Sequence, residues 1–304
     1  MEKERIYNSL FGFVIGDAIG VPVEFMQREE IKEPITDFVE GNRSVPLGSW
    51  SDDSSLMLCL CETINESGLD FDLLSQKMVE WLYDGYMTPF GKTFGIGRST
   101  MFSIGKLKQG VSYLQSGEGS ERSNGNGSLM RILPLAFYTY GKADKYESII
   151  TCSGITHSHP ISCIACCIYI EYMHCLFDCN DKILAYKQMK ENINRDFKEL
   201  DLSAFDRILN NNIYEYDSKD LSGLGYVVST LEVALYSFIN SNNYRECIIN
   251  ALNFGNDTDT NAAVAGGIAG YFYNQVPNEW KEKILKREQV EKIITEFSKL
   301  NHKK

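Results

Sequence analysis

The chain has 304 residues, 43% of them apolar, and a formal net charge of −11. This length and composition allow a large buried core, and because no Gly/Ser-rich or Pro-rich linker interrupts the chain, we expect a single domain over residues 1–304. The acidic balance argues against binding to nucleic acid or anionic membranes, which requires clustered Lys and Arg.

The N-terminal residues carry too much charge for a secretory signal, and the residues after them are too polar and glycine-rich for one. The most apolar long stretch, residues 160–177, contains Glu171 and His174, so we expect no membrane span. Nine cysteines in a chain without a signal are expected to stay reduced, and Cys163 and Cys166 are interpreted as core thiols rather than a redox or metal pair. We therefore expect a cytoplasmic protein. We also expect a monomer, although no pattern in the sequence indicates the oligomeric state.

Helical periodicity dominates the chain, and strand signals are sparse. Residues 4–19 place apolar side chains on a broad face, which predicts a buried first helix. The segment that ends this helix, residues 16–25, is punctuated by two glycines and a proline and holds Asp17 and Glu24 among apolar neighbours. Buried carboxylates usually have partners. Asp17 fits either a turn-capping role or a functional role.

An acidic cluster follows the loop at residues 33–50. Ser51, Asp52 and Asp53 open an apolar helix that is predicted to end at Gly68. Adjacent Asp residues in the first turn of a helix repel each other unless a cation lies between them. Their hard oxygen donors suit Mg²⁺, Mn²⁺ or Ca²⁺ rather than zinc.

Two glycine-rich loops precede predicted helices. The first, residues 91–100, leads into a helix that begins near Ser99, and alone it is weak evidence because such loops are common. The second, residues 123–131, runs directly into an apolar helix predicted over residues 129–138, so its amides could face an anion. No Gly-Lys-Ser/Thr ending follows, which excludes a nucleoside-triphosphate P-loop.

Residues 156–160 hold two of the four histidines, His157 and His159, directly before the apolar helix predicted from Pro160. A single His at such a position is usually structural, but a place beside a glycine loop makes contact with a ligand reasonable. Residues 181–211 are interpreted as polar surface helices. Residues 226–239 and 244–254 are interpreted as amphipathic helices.

The segment 255–270 carries the second acidic cluster. Asp257, Thr258, Asp259 and Thr260 place two carboxylates and two hydroxyls side by side, and a run of Ala, Gly, Val and Ile follows. Asp and Thr are good N-cap residues, so a helix is expected to begin within residues 257–261, where its dipole offsets part of the negative charge. The small residues let other helices approach closely, which predicts a central helix. Two acidic helix starts together indicate a shared hard-cation site.

In chain order, these motifs resemble one family, the ADP-ribosylglycohydrolases related to dinitrogenase reductase-activating glycohydrolase. Each motif alone is weak evidence, but the ordered set covers nearly the whole chain and is specific. The matching segments are residues 16–20 with Glu24, 50–54, 95–97, 125–131 with Pro134, 156–160, 225–228 with 230–232, 257–260, and 276–277 with Trp280.

The resemblance implies an all-α orthogonal helical bundle with a binuclear centre of two Mg²⁺ or Mn²⁺ ions at its middle. The implied metal ligands are Ser51, Asp52, Asp53, Asp257, Asp259 and Thr260. The implied catalytic carboxylates are Asp52, Asp53, Asp259 and, at the mouth of the site, Glu24. The expected contacts of ADP-ribose are Gly97, Gly127, Ser128, Met130, His157 and Tyr226. Where the family usually has Thr-Asp-Asp-Thr, this chain has Ser at both ends; serine keeps the ligating hydroxyl but is less rigid, which leaves the metal preference open.

The resemblance also implies a hydrolase that cleaves the glycosidic bond between ADP-ribose and an acceptor. Arginine on a protein is the first expectation, because it is the commonest known acceptor in the family. ADP-ribosyl-serine and small-molecule conjugates such as ADP-ribosylated guanidine are alternatives, and the acidic charge disfavours a nucleic-acid base. Two other classes compete with this reading. One is a non-catalytic ADP-ribose-binding or crystallin-like relative, although this chain keeps all four paired carboxylates. The other is a metal-dependent hydrolase of another glycoside or phosphoester.

Overall fold

The computed structural model describes residues 2–41 and 44–300, and within these ranges every regular element is helical. The α-helices are α1 (Lys3–Gly20), α2 (Asp52–Ser67), α3 (Phe71–Asp84), α4 (Arg98–Lys108), α5 (Tyr113–Ser116), α6 (Pro134–Tyr138), α7 (Lys145–Gly154), α8 (Pro160–Cys179), α9 (Lys182–Asp196), α10 (Asp206–Leu209), α11 (Val227–Ile239), α12 (Tyr244–Leu252), α13 (Thr258–Tyr273), α14 (Asn278–Lys281) and α15 (Arg287–Leu300). Short 3-10 helices lie at Val21–Val23, Arg28–Glu30, Glu121–Ser123, Leu129–Arg131, Ser203–Phe205, Ile213–Glu215 and Ser218–Asp220. The only β pairing in these ranges is two isolated bridges. The predicted all-α fold is confirmed.

Helices α1 and α13 form the most extensive contact between elements in the fold. They run antiparallel, and glycines allow their backbones to touch. A Cβ on Gly16 would lie 2.1 Å from the carbonyl oxygen of Ala262, and one on Gly270 would lie 2.1 Å from that of Asn8. The antiparallel direction brings the C-terminal end of α1 to the N-terminal end of α13. The central position predicted for this small-residue helix is confirmed.

Asp17, on the last turns of α1, fixes where α2 begins. Its carboxylate accepts hydrogen bonds from the backbone amides of Ser51 and Ser54, at 3.0 Å each, and from the Ser54 hydroxyl at 2.5 Å. Burial is the main cause that raises the pKa of Asp17 to about 6, and these hydrogen bonds oppose it. Asp17 therefore does not cap its own turn; it links α1 to the start of α2, which bears Asp52 and Asp53.

One hydrophobic core cluster extends from Ile6 to Phe297. Two segments, Lys3–Val23 and Pro160–Cys179, are long and apolar enough to cross a bilayer. The most apolar 18-residue stretch of Lys3–Val23 is 94% buried inside the fold, and that of Pro160–Cys179 is 83% buried. Core helices of folded domains show the same burial. Length and hydropathy are thus weak grounds for assigning a membrane span here.

Two parts of the predicted helix pattern differ from the structure. The helix predicted over residues 129–138 is interrupted, because Pro134 lacks an amide hydrogen and its ring blocks a continuous helix. A 3-10 turn, Leu129–Arg131, precedes it, and α6 begins at Pro134. The region 181–211, which was expected to form polar surface helices, is also more buried than expected. Helix α9 buries Ala185, Tyr186, Met189 and Ile193 against the core.

Candidate active site

Two acidic helix starts meet at one place in the fold. They are far apart in sequence, since 207 positions separate Asp53 from Thr260. Asp52 and Asp53 form the first turn of α2, and Asp257 precedes the first residue of α13. The Thr260 hydroxyl donates to Oδ1 of Asp53 at 3.4 Å.

Glu24, Asp257 and Asp259 form the densest part of this cluster. Each offers a carboxylate oxygen, and these three oxygens all lie within 4.8 Å of one another. Glu24 follows the 3-10 turn Val21–Val23, which continues α1 at the end that meets α13. The five carboxylates predicted to share a site, Glu24, Asp52, Asp53, Asp257 and Asp259, line one cavity.

The carboxylates of this cluster repel one another when they are ionised. Burial raises the pKa of Asp52, Asp53 and Asp259 well above the usual range. Neighbouring negative charges raise these pKa values further, with Asp17 and Glu24 acting on Asp52. Gathering such groups away from water is unfavourable unless positive charge or protons balance them.

The residues fit a hard divalent cation. Oδ2 of Asp53 is buried and has no hydrogen-bond partner within the described residues. Carboxylate and hydroxyl oxygens are the ligands that Mg²⁺ and Mn²⁺ prefer. Asp257 is held by Asn126, whose side-chain amide donates to its Oδ2 at 2.6 Å. Such a neighbour orients a ligand without touching the ion.

Ser51 is the N-cap residue of α2. Its hydroxyl oxygen accepts from the amide of Asp53 at 3.3 Å, and the side chain is buried beside Asp52. Gly95, in the first glycine loop, approaches closely from the other side. Its φ is +81°, and a Cβ on it would lie 2.5 Å from Oδ1 of Asp52. This loop therefore packs directly against the acidic cluster.

A cavity of about 550 Å³ opens beside the carboxylates. Four of the six residues predicted to contact the substrate also line it: Gly97, Gly127, Met130 and His157. The cavity thus has an acidic side and a second side lined by the two glycine loops, the start of α4 and His157.

Ser128 and Tyr226, the other two predicted substrate contacts, lie outside the cavity lining. The Ser128 hydroxyl accepts from the Ser153 hydroxyl at 2.9 Å, behind the glycine loop. Tyr226 pairs with Gly125 through an isolated bridge, and its side chain is 41% exposed at the surface beside the cavity. Both residues therefore support the loop that carries Gly127. Their contact with substrate stays a prediction.

The glycine loop at residues 125–127 is crowded. A Cβ on Gly127 would lie 2.6 Å from Cε1 of His157 and 2.8 Å from Oγ1 of Thr100. The buried guanidinium of Arg131 donates to the carbonyl oxygens of Gly127 and Cys152, which holds the loop in place. Any side chain larger than hydrogen at position 127 would displace this arrangement.

His157 faces this loop as a neutral ring. Burial lowers its pKa to about 3, and the charge of Arg131 acts in the same direction. Its Nδ1 shares a hydrogen bond with the Thr156 hydroxyl at 2.8 Å. The ring is therefore a hydrogen-bonding group at neutral pH and not a cation.

Several residues that line the cavity were missed by sequence reasoning. Thr100, on the first turn of α4, has a buried hydroxyl with no hydrogen-bond partner within the described ranges. Arg98 and Arg122 line the same side, and Phe25 lies at the acidic side. A helix start at residues 98–100 was expected, but nothing local in the sequence indicated that it faces Gly127.

A larger cleft, of about 650 Å³, lies at the other end of α1 around Asn8, Tyr244 and Asn274. Its two carboxylates, Glu4 and Glu279, are exposed. The smaller cavity is the candidate active site because it combines clustered buried carboxylates with unpaired polar atoms.

The chain is similar to known proteins over nearly its whole length. A family model described as ADP-ribosylglycohydrolase matches residues 1–304. An ADP-ribosylarginine hydrolase of Pseudomonas putida (strain GB-1) is 31% identical over 301 residues, which cover 97% of this chain and 78% of that protein. An ADP-ribosyl-[dinitrogen reductase] glycohydrolase of Rhodospirillum rubrum is 26% identical, covering 92% and 90%. A solved structure titled ADP-ribosylglycohydrolase-related protein complex has a TM-score of 0.82 at 24% identity, covers 98% of each chain, and shows the same fold.

Proposed function

The chain belongs to the ADP-ribosylglycohydrolase family, and from that premise we propose that it is a metal-dependent enzyme that removes ADP-ribose from arginine side chains of proteins. As a member of this family, it is an ADP-ribosyl-acceptor glycohydrolase. The observation that carries the metal-dependent part is the buried meeting of the α2 and α13 carboxylates, with one oxygen of Asp53 left without a partner. The arginine acceptor is supported by the relative at 31% identity, whose name states that substrate.

Hydrolysis at the anomeric carbon of ribose passes through an oxocarbenium-like state, so the enzyme must hold the sugar, align a water and accept its proton. Asp52, Asp53 and Asp259 are the candidate bases, since their carboxylates line the cavity. The Thr260 hydroxyl engages Oδ1 of Asp53, which leaves Oδ2 of Asp53 as the oxygen that would ligate a divalent ion. We infer that Glu24, which also lines the cavity, acts beside the leaving group.

The metal part of the proposal rests on six residues. Two Mg²⁺ or Mn²⁺ ions would be held by Ser51, Asp52, Asp53, Asp257, Asp259 and Thr260, and when bound they would polarise the ribose hydroxyls and lower the pKa of a water. Asn126 orients Asp257 through the 2.6 Å hydrogen bond. Asp17 keeps the start of α2 in register with α1.

The other side of the cavity suits the diphosphate of ADP-ribose. Helix α4 starts at this side of the cavity with Gly97 as its N-cap residue and without a side-chain cap, and the buried Thr100 hydroxyl has no hydrogen-bond partner within the described residues. Helix starts of this kind bind anions. Arg98 and Arg122 add positive charge at the cavity wall, in a chain whose net charge is −11.

The test is mass-spectrometric release of ADP-ribose from matched arginine, serine and small-molecule conjugates, with Mg²⁺ or Mn²⁺. We expect the arginine conjugate to be cleaved with the highest kcat/KM. An Asp257→Asn variant should lose at least about 100-fold in kcat/KM and should no longer be stabilised by the metal. An Asp257→Asn variant with full activity would refute the metal assignment.

The same panel separates the alternatives. Tight binding of ADP-ribose without turnover of any conjugate would indicate a non-catalytic relative. Competition by simple phosphates, but not by ADP-ribose, would indicate a hydrolase of another class. Preference for the serine conjugate would retain the enzyme class and change the acceptor.

We also propose a single-domain, monomeric enzyme that works in the cytoplasm. All nine cysteines are unpaired thiols, and eight of them are buried, which is compatible with a reducing compartment. Light scattering coupled to gel filtration tests the monomer, and fractionation of cells tests the location.

A further inference from the structure

The two ring nitrogens of His157 lie in different surroundings. Nδ1 shares a hydrogen bond of 2.8 Å with the Thr156 hydroxyl. Nε2 makes no hydrogen bond within the described residues and lies beside Gly125 and Gly127, which line the cavity together with His157. A neutral imidazole carries one proton, on one nitrogen or the other. The position of this proton decides whether the ring donates or accepts a hydrogen bond at the cavity.

The Thr156 hydroxyl decides where the ring proton lies. Thr156 is fully buried, and the bond to Nδ1 is the only hydrogen bond that its hydroxyl makes in the part of the chain that the structure describes. If Nδ1 carried the proton, the hydroxyl would accept it, and the hydroxyl proton would be buried without an acceptor. An unpaired buried donor is unfavourable. The Thr156 hydroxyl therefore donates to Nδ1, and Nε2 carries the proton.

The ring is held in this orientation from two sides. The His157 amide donates to the carbonyl oxygen of Ser153 at 2.9 Å, and the Ser153 hydroxyl donates to the carbonyl oxygen of His157 at 3.0 Å. On the other side the glycine loop lies against the ring, since a Cβ on Gly127 would be 2.6 Å from Cε1 and 3.2 Å from Nε2. These contacts fix the main chain and leave the ring little room to turn, so Nε2 stays at the cavity.

The surroundings of Nε2 suit an anionic oxygen. Burial lowers the pKa of His157 to about 3, so the ring is a neutral donor at neutral pH. Arg131 is buried behind Gly127 and donates to its carbonyl oxygen, and no carboxylate pairs with Arg131 within the described ranges. The unpaired Thr100 hydroxyl borders the same space, 2.8 Å from the position of a Cβ on Gly127. Two donor groups beside a buried cation fit a phosphate oxygen.

We propose that Thr156 is a positioning residue of the proposed reaction: its hydroxyl fixes His157 as the Nε2–H tautomer, which donates a hydrogen bond to a phosphate oxygen of ADP-ribose. A protonated Nε2 can neither bind a divalent ion nor accept the proton of the attacking water. His157 is thereby assigned to substrate binding and not to the metal or the general base. This inference rests on the proposed function and deepens it.

The first experiment is two-bond proton–nitrogen NMR of the full chain containing nitrogen-15 histidine, between about pH 6 and 8. His157→Gln identifies the His157 signals by their loss. We expect the pattern of the Nε2–H tautomer at every pH. Thr156→Ser should keep this pattern, whereas Thr156→Val, which replaces the hydroxyl by a methyl group, should give a mixture of the two tautomers. ADP-ribose should shift the Nε2 signal, and adenosine, which lacks the phosphates, should not.

The second experiment measures the Kd of ADP-ribose by calorimetry, and kcat and KM for an ADP-ribosylarginine peptide. In Thr156→Val we expect the Kd and the KM to rise about 3- to 30-fold and kcat to change less than about 3-fold, because only part of the molecules still offers the donor to the phosphate. Thr156→Ser should match the unmodified protein.

Thr139→Val is the matched control. Thr139 is also fully buried, its hydroxyl makes one hydrogen bond, to the Leu135 carbonyl oxygen at 2.6 Å, and it lies outside the cavity lining. This variant should change neither the tautomer of His157 nor the Kd of ADP-ribose.

A His157 ring that is charged, or that carries its proton on Nδ1, in the unmodified protein would overturn the inference even in an active enzyme. An unchanged tautomer and Kd in Thr156→Val would overturn the role of Thr156, and an equal shift of the Nε2 signal by adenosine would overturn the assignment to phosphate. Failure of the unmodified protein to cleave any ADP-ribosyl conjugate would overturn the proposed function instead, since the tautomer is measured without substrate.

Discussion

Asn126 shows how a neutral side chain can control the acidic cluster. Its amide donates to Oδ2 of Asp257 at 2.6 Å and to the Thr230 hydroxyl at 2.9 Å, so it ties α11 to the start of α13. A carboxylate held in this way has one oxygen oriented for another partner. Mutation of neighbours of this kind typically lowers metal affinity or activity by about 10- to 100-fold.

We expect Asn126→Ala to weaken Mn²⁺ binding and to reduce kcat/KM by about 10- to 100-fold, because Asp257 loses its orienting donor. Calorimetric titration with Mn²⁺ and steady-state kinetics measure the two effects. Asn210→Ala is the control, since Asn210 is exposed and bonds only locally to Asp206 in the described structure. Equal metal affinity in Asn126→Ala and Asn210→Ala would contradict the proposed role.

His157 gives a prediction about pH. Because burial lowers its pKa to about 3, the ring is neutral throughout an assay range of about pH 5 to 9. The pH profile of kcat/KM should therefore show no step from His157, and His157→Gln should lower the profile without shifting its limbs. An inflection near the ordinary histidine pKa that disappears in His157→Gln would show that the ring does become charged.

At the residue scale, the sequence predicted those site residues that can be recognised from residue type and position in a helix alone. Asp52, Asp53, Asp257 and Asp259 are carboxylates at helix starts, and this pattern is visible without coordinates. The donor role of Asn126 and the exposed ring of Phe25 depend on which segments face each other. No local pattern contains that information.

At the scale of elements, the central fact is the close packing of α1 on α13. Glycines on both helices allow main-chain contact, as at Gly12, where a Cβ would lie 2.8 Å from the carbonyl oxygen of Gly266. The Ser9 hydroxyl donates to the Gly267 carbonyl oxygen at 2.6 Å within the same interface. The close packing therefore fixes the position of the end of α1, which leads to Glu24, relative to the start of α13, which carries Asp257 and Asp259.

Gly16→Ala should destabilise the protein by about 3 kcal/mol, because its Cβ would lie 2.1 Å from the carbonyl oxygen of Ala262 and the helices must separate. Activity should fall with it, since the separation also moves Asp17. Chemical denaturation measures the free energy of unfolding. Gly105→Ala is the matched control: it lies inside α4, where a Cβ meets only the Tyr83 hydroxyl oxygen at 3.8 Å, so it should be neutral or stabilise by up to about 1 kcal/mol. A Gly16→Ala variant as stable as Gly105→Ala would show that the helices are not in close contact.

Periodicity predicted most of the helices because their apolar residues recur on one face. The start of α2 after Ser51 and its end before Gly68 were both expected from capping residues. The interruption before Pro134 was not recognised, although a proline inside a helical pattern is a local signal. Helix α7 was also missed; only Ile149, Cys152 and Ser153 of its ten residues are buried, which makes a weak pattern.

At the scale of the whole molecule, the balance between buried negative charge and divalent cations should govern stability. Burial raises the pKa of Asp17 to about 6, above its value in the unfolded chain. The folded state without metal therefore binds protons more tightly than the unfolded state. Its stability falls as the pH rises from about 4 through 6.

Removal of divalent ions with a chelator should consequently lower the melting temperature more at pH 8 than at pH 5. Added Mn²⁺ at about 100 times its dissociation constant should raise the melting temperature at pH 8 by roughly 4 °C. Differential scanning calorimetry at the two pH values measures both effects. A melting temperature that does not respond to chelator or Mn²⁺ at pH 8 would contradict the proposed ion site.

The meeting of the two acidic segments is the part of the site that local patterns could not supply. Composition and capping placed Asp52 and Asp257 at helix starts, but their proximity depends on the long-range pairing of α1, α2 and α13. The occurrence of two acidic helix starts in one chain, together with the resemblance to a known family, predicted that proximity, and physical reasoning explains it only once the glycine contacts are known.

The antiparallel contact of α1 with α13 has a consequence for synthesis on the ribosome. Gly20 and Asp259, which touch in the finished fold, are separated by most of the chain. At roughly 5–20 residues per second, a nascent α1 waits about 12–50 s before its main packing partner has been translated. During that interval the apolar surface of α1 is exposed and can aggregate with other chains. Pauses or truncations upstream of α13 should therefore favour capture by chaperones and degradation over soluble, partly active product.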